Sequence, residues 1–255
     1  MARYYSLKHL PKFESYNDAL EENNIRVSIL QRVGGLENNA LADKLIRCCE
    51  QQDKCNSVAC KICNRDFRIK RVDELVAKMR RDKGQWFAAT IIDYNRAFHD
   101  DALFDFDLRK AKDRMRKQIR RSGFDGPMFG TLELDRHRIC GLWLPHFHLI
   151  YKSTKNNERA VRVLRRKLRR LQVEHIKKTP DARPTKIQKL RKPFIQTSYA
   201  FKLVSLEVVD YICSRSGKRR TTKQRLLDKM FCEHLCWIDR MGRRAFLFSL
   251  GERGW

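Results

Sequence analysis

Two histidines one residue apart, in LPHFHLIYK at positions 144–152, are the side chains of this sequence best spaced for chemistry. Side chains alternate along a strand, so His146 and His148 point to one face while Phe147 and Leu149 point to the other. Imidazole is the commonest metal-binding side chain, and a catalytic ion needs few protein ligands with positions left open for substrate. A lone histidine on a buried strand is more often a hydrogen-bonded core residue, and the second at i+2 shifts that balance. The preceding segment, GTLELD, supplies Glu133. If the hairpin turns around residues 137–142, Glu133 lies opposite His146 and two imidazoles and a carboxylate surround one cation. A one-residue slip would turn it away and leave an ordinary sheet carboxylate.

Cysteines form the second grouping. Nine is an odd number, and clustered thiols in a reducing compartment point to metal more than to disulfides. The run CCEQQDKCNSVACKIC places Cys55, Cys60 and Cys63 within nine residues, with Cys48 or Cys49 just upstream. Cys49, Cys55, Cys60 and Cys63 are the expected set for a structural Zn2+, and Cys48 is the alternative for the fourth place. In FCEHLCW (231–237), Cys232 and Cys236 have helical spacing and read as core.

Charge is the third signal. Lysine and arginine number 56 against 30 acidic residues, a formal charge of +26, which calls for a polyanionic partner. No run approaches the roughly 18 apolar residues of a spanning helix, and MARYYSLKHLPKF has no apolar signal core, so the expectation is a cytoplasmic protein with no membrane partner. Nucleic acid is the expected polyanion. The runs KMRRDK, RKAKDRMRKQIRR, RVLRRKLRRLQ, KKTPDARPTKIQKLRK and RSGKRRTTKQR could follow its backbone, with Trp86, Phe87, Trp143 or Tyr199 stacking on unpaired bases if exposed.

The elements that must position these residues follow from periodicity. Residues 15–47 read as one or two helices broken at Gly34 and Gly35, 71–82 as a helix, QWFAATIID as a strand and 105–121 as a helix with a basic outer face. Segments 126–135 and 141–152 read as paired strands, followed by a basic helix over about 157–177 and a Pro-containing linker. FIQTSYAFKLVS then reads as extended, LEVVDYICSRS as a helix, 221–240 as another helix, and RRAFLFSLG as a closing strand. The expected fold is α+β, an antiparallel-rich central sheet flanked by helices. A small N-terminal helical and cysteine-cluster region at 1–70 would precede a main domain at 71–255.

The triplet His146, Phe147, His148 resembles the signature of the HUH endonucleases, which nick single-stranded DNA in rolling-circle replication, conjugation and some transposition. WFAATIID is similar to that family's first sheet strand, and GTLELD with LWLPHFHLIYK to its metal-binding hairpin. The resemblance covers roughly residues 48–255 in motif order and implies a ferredoxin- or RRM-like core. It also implies a nucleophilic tyrosine on a downstream helix. Tyr211, with Glu207 four residues before it, is similar to the single-tyrosine plasmid replication initiators, and Tyr199, in a Tyr-x-x-Lys pattern, is the runner-up. Cysteine clusters precede the nuclease core in some relatives, and RRAFLFSLG is similar to the last initiator strand.

The implied reaction is nicking and joining of single-stranded origin DNA through a 5′-phosphotyrosine. His146, His148 and Glu133 would hold Mg2+ or Mn2+, Lys202, Lys218 or Arg215 would assist, and a host helicase and polymerase are candidate partners. A transposase or relaxase with the same chemistry is an alternative, as is a non-catalytic, zinc-stabilised nucleic-acid-binding protein.

Overall fold

The computed structural model describes residues 13–50, 53–171 and 184–251. The chain forms two compact units. The first runs to Asp82 and takes in Lys192–Leu203 and Leu226–Ala245, so it is not closed by a boundary at 70/71; the second comprises Lys83–Arg191, Val204–Arg225 and the chain from Phe246.

The first unit is helical. Helix α1 (Tyr16–Val33) starts at a capping box in which the Ser15 hydroxyl accepts from Asp18 N–H and the Asp18 carboxylate accepts from Ser15 N–H. Gly34 and Gly35, at φ of 70° and 94°, separate it from α2 (Leu36–Cys49) at the expected break. Helix α3 (Lys61–Arg81) begins ten residues earlier than the sequence pattern suggests, because the Cys60 sulfur caps it by accepting from Cys63 N–H. Two further helices, Pro193–Ala200 and Asp228–Met241, complete the unit, with Leu30, Leu45, Leu75, Leu235 and Trp237 buried.

The second unit holds a mixed, curled sheet flanked by helices. Its elements are β1 (Trp86–Ile92), β2 (Phe98–His99), α4 (Leu108–Arg121), β3 (Met128–His137), β4 (Leu142–Lys152), α5 (Lys155–Leu171), β5 (Thr185–Lys189), β6 (Glu207–Ile212), β7 (Arg219–Gln224) and β8 (Leu247–Leu250). The order is β5-β1-β4-β3-β6-β7, with β2 paired to β4 and β8 to β3. All pairs are antiparallel except β3 with β6.

Phe147 meets Phe248 edge-on at 5.7 Å, the Arg116 guanidinium lies 5.2 Å from the Phe248 ring, and α4 packs on α5. The helices therefore cover the Phe147 face, opposite the histidines. Each buried ring on that face contributes about 1.5–3 kcal/mol through the apolar surface it removes from water. Gly130 is fixed by space: a Cβ there would lie 1.8 Å from the His148 carbonyl oxygen, so a side chain would pry β3 from β4 where the histidines sit.

Two expectations fail, and they fail together. The first seven residues of FIQTSYAFKLVS belong to the helix Pro193–Ala200, with the preceding Pro193 supplying the preset φ of a first turn, while LEVVDYICSRS contains strand β6. β-Branched Val208 and Val209 favour the strand, and Glu207 to Ile212 pair residue for residue with Gln224 to Arg219. The expected helix over 221–240 divides likewise into part of β7 and the helix Asp228–Met241. The closing segment turns through a short helix, Arg243–Phe246, before β8.

Candidate functional site

The histidine face is built by register. Glu133 pairs with His146 and Thr131 with His148 across β3 and β4, while Thr90 of β1 lies opposite His148. The hairpin turns at Gly141, whose N–H bonds to the His137 carbonyl at 2.9 Å, giving the register the sequence anticipates. Thr131, Glu133, Asp135, His146 and His148 are all buried.

Each imidazole has its own support. His148 Nδ1 lies 3.2 Å from Thr90 Oγ1, and its Nε2 lies 3.4 Å from Glu133 Oε2. His146 Nδ1 lies 3.3 Å from Asp135 Oδ2, and its buried Nε2 has no hydrogen-bond partner among the described residues. A proton on Nδ1 facing the carboxylate leaves the Nε2 lone pair to bind elsewhere, the arrangement that carboxylates impose on metal-binding histidines. Asp135 is itself held by the Lys223 ammonium from β7 and by Leu206 N–H at 3.1 Å. His137, 6.1 Å from His146 ring to ring, is lowered to about 4 by burial and then by the neighbouring imidazole, so it is neutral at pH 7.

The separation of His148 Nε2 and Glu133 Oε2 suits two adjacent donors on one cation, since bonds of about 2.1 Å give edges of roughly 3.0–3.4 Å. His146 shares the face, but the three donors are not drawn together as closely as the thiols described next.

Among the described residues, Cys48, Cys55, Cys60 and Cys63 form the group of ligand atoms lying within 4.8 Å of one another. Their sulfurs stand 3.6 Å (Cys48 to Cys60), 3.6 Å (Cys48 to Cys63) and 3.7 Å (Cys55 to Cys63) apart. A tetrahedral Zn2+ with bonds near 2.3 Å requires edges of about 3.8 Å, whereas a disulfide requires about 2.05 Å. Four cysteines close together could thus hold a metal such as zinc. The fourth is Cys48, not Cys49. At the end of α2 successive side chains diverge by about a hundred degrees, so one thiol of the pair faces the cluster. Cys49 instead accepts from Asn23 Nδ2 at 3.6 Å, and the same amide donates to Cys60 at 3.1 Å.

Donation from Cys55 and then Cys63 holds the Cys60 thiol far below its ordinary range against the opposing effect of burial, and Cys55 is raised by the mirror contacts. The N-terminus of α3 adds its dipole to that thiolate. Cys232 is buried and donates to Ile29 O at 3.8 Å, and Cys236 donates to Asn38 Oδ1 at 3.3 Å, as core and core-edge residues of their helix.

The two tyrosines exchange settings. Tyr211, 45% exposed, stands on β6 opposite Arg220, and four strand residues, about 13 Å, separate it from Glu207. Glu207 is fully buried and accepts from Arg136 at 2.7 Å, from Gln224 at 3.1 Å, and from Arg138. It is an anchor of the parallel β3 and β6 pair and does not assist Tyr211. Tyr199, 48% exposed, stands on the helix Pro193–Ala200 with the Lys202 ammonium 5.1 Å from its ring centre. Lys218 and Arg215 lie in the β6–β7 turn. Trp86 and Trp143 are buried, so they offer no stacking surface, and Phe87 lies against Tyr151 at 5.7 Å.

Sequence reasoning passed over Asp135, Lys223 and the arginines at 136 and 138. Asp135 was within reach, since it follows Glu133 by two residues and so shares its face; Lys223 is brought in by β7 from almost ninety residues away. No helix among the described residues is long and apolar enough to cross a membrane. Comparison with protein-family models, curated proteins and solved structures gives no match.

Proposed function

We propose that this protein nicks and rejoins single-stranded DNA by the chemistry of the HUH endonucleases, in the manner of a rolling-circle replication initiator. The observation that carries the reading is the pair of buried, oriented imidazoles on a central strand, beside Glu133 on its neighbour. The mixed, curled sheet flanked by helices supports it at the level of class, since the resemblance implies an α+β core.

His148 and Glu133 would hold Mg2+ or Mn2+, with His146 as third ligand oriented by Asp135. When bound, such an ion polarises phosphate oxygens and stabilises charge on them in the transition state. The chain supplies the nucleophile, and the helix beneath Tyr199 now favours it over Tyr211. Its phenolic oxygen forms a bond to phosphorus as the bond to the 3′ oxygen breaks. The phenolic proton passes to a base, the 3′ oxygen takes a proton, and the 5′ phosphate remains on tyrosine. The Lys202 ammonium lies over the Tyr199 ring, 5.1 Å from its centre. The free 3′ hydroxyl would serve a polymerase, and a helicase would unwind the duplex ahead of it. With Glu207 committed to arginines, its spacing from Tyr211 no longer separates initiators from transposases or relaxases, which would share every step above.

A 3′-labelled random single-stranded pool incubated with Mn2+ should yield a covalent adduct on denaturing gels with wild type and Tyr211→Phe, and none with Tyr199→Phe. Loss in Tyr211→Phe alone would return the role to Tyr211. No adduct with Mn2+ or Mg2+ would favour a zinc-stabilised binding protein, a reading supported by the thiols being the better converged ligand set.

A further inference from the structure

Helices α4 and α5 carry a pattern that the histidine chemistry does not use. On α5, Ala160, Leu164 and Leu168 are buried, and the exposed Arg159, Arg162, Arg165, Arg166 and Arg169 line one concavity of about 550 Å³. On α4, Leu108, Ala111, Met115 and Ile119 are buried and Arg109, Lys110, Lys117, Arg120 and Arg121 are exposed. Each helix contains eight basic residues and a single acid, and those acids are engaged locally: Asp113 with Arg116 at 2.7 Å, Glu158 with Ser153 at 2.7 Å.

We propose that this helical face, on the side of the sheet opposite the histidines, seats the phosphate backbone of duplex DNA. Like charges three and four residues apart destabilise a helix by a few tenths of a kcal/mol per pair, so the arginine stripe opposes its own element and is relieved by a polyanion. Neither helix contains an aromatic residue. Single-strand binding relies on rings that stack on bases, and an interfacial membrane helix relies on an apolar face, which here is buried in the protein. Contacts to phosphate alone remain, and duplex DNA presents phosphates at fixed spacing.

The dimensions agree. Arg159 to Arg166 and Arg162 to Arg169 each span about 10.5 Å along the helix, and two packed helices place their axes about 8–10 Å apart, on the scale of the roughly 6 and 12 Å widths of the B-DNA grooves. The inference stands on this charge pattern and holds whether or not the histidine face cuts DNA. If it does, the sheet divides its labour: one face reacts with the single strand and the other grips flanking duplex.

Anisotropy of a fluorescein-labelled 20-base-pair duplex, titrated with the full chain between 50 and 300 mM KCl, tests the proposal. The variant Arg159→Gln, Arg162→Gln, Arg166→Gln, Arg169→Gln should bind at least about thirtyfold more weakly at 150 mM, with a slope of log affinity against log salt shallower by about 3–4. Arg109→Gln, Lys110→Gln, Lys117→Gln, Arg120→Gln should act in the same direction. A charge-matched control on the first unit, Arg32→Gln, Lys54→Gln, Lys229→Gln, Arg240→Gln, should stay within about threefold of wild type. Unchanged circular dichroism and melting would show the helix variants folded. The proposal is overturned if folded helix variants keep wild-type affinity and slope, if the control loses as much, or if a single strand or phosphatidylserine vesicles lose binding while the duplex does not. Adduct formation on a short single strand, read in parallel, reports on the nuclease separately.

Discussion

Four thiols lie within 4.8 Å of one another beside the start of α3, three of their separations being 3.6 to 3.7 Å, whereas the two imidazoles of β4 lean on separate partners, Thr90 and Asp135. The first grouping is closed: every donor faces the others, and an ion between them would be fully coordinated by protein. The second is buried and oriented but less converged, with each nitrogen set against its own partner. Structural metal sites have the first character, four protein donors around one ion, whereas a catalytic ion takes fewer protein donors. The supports differ in kind as well. A helix N-terminus and the Asn23 amide hold the thiols, while a ladder of strands and the charge network around Asp135 hold the imidazoles.

The largest expected effect separates the two sites. Cys60→Ser with Cys63→Ser should abolish zinc retention and lower the melting temperature by more than about 10 °C, since metal affinity in such clusters is folding free energy. His146→Ala with His148→Ala should keep both. Metal content by mass spectrometry and thermal melts decide it, and zinc lost from the histidine variant would break the comparison.

Next, His148→Ala should reduce adduct formation by more than about a hundredfold, and Asp135→Asn by about ten- to a hundredfold with a matching rise in the Mn2+ concentration needed for half activity. Equal metal requirement in Asp135→Asn and wild type would remove Asp135 as the orienting group.

Glu207→Gln should cost about 1.5–3 kcal/mol in urea unfolding at pH 7, because Arg136 and Arg138 lose their buried carboxylate while Arg136 keeps Asp100 and Arg138 is half exposed to water. Burial raises the Glu207 pKa, but hydrogen bonds from Arg138 and Gln224 and the charges of Arg138 and Arg136 outweigh it and hold it below 4.5. A folded value below the unfolded one gives stability that is present above pH 4.5 and lost as the pH falls through the folded value. Wild type should therefore weaken on that limb, and Glu207→Gln less so.

The smallest expected effect is that of Cys49→Ser. Zinc content should equal wild type and the melting temperature should stay within about 2 °C, the scale of one weak hydrogen bond to sulfur. A halved metal ratio would restore Cys49 to the ligand set.

The sequence by itself determined the local features. Alternation put His146 and His148 on one face, the break at Gly34 and Gly35 parted two helices, and the helical periods of 108–121 and 155–171 were legible because buried and exposed residues there differ in chemistry. The close spacing of Cys55, Cys60 and Cys63 announced a cluster. Only the tertiary structure decided what long-range pairing controls. LEVVDY suits a helix or a strand, and pairing with β7 made it a strand; FIQTSYA met no partner strand and closed into a helix, reversing the claims of the two tyrosines. The choice of Cys48 over Cys49 turned on the rotation of one helix end, and the role of Asp135 on a lysine delivered by a distant strand. Propensity is a local quantity, whereas a ladder partner or a fourth ligand comes from elsewhere in the chain.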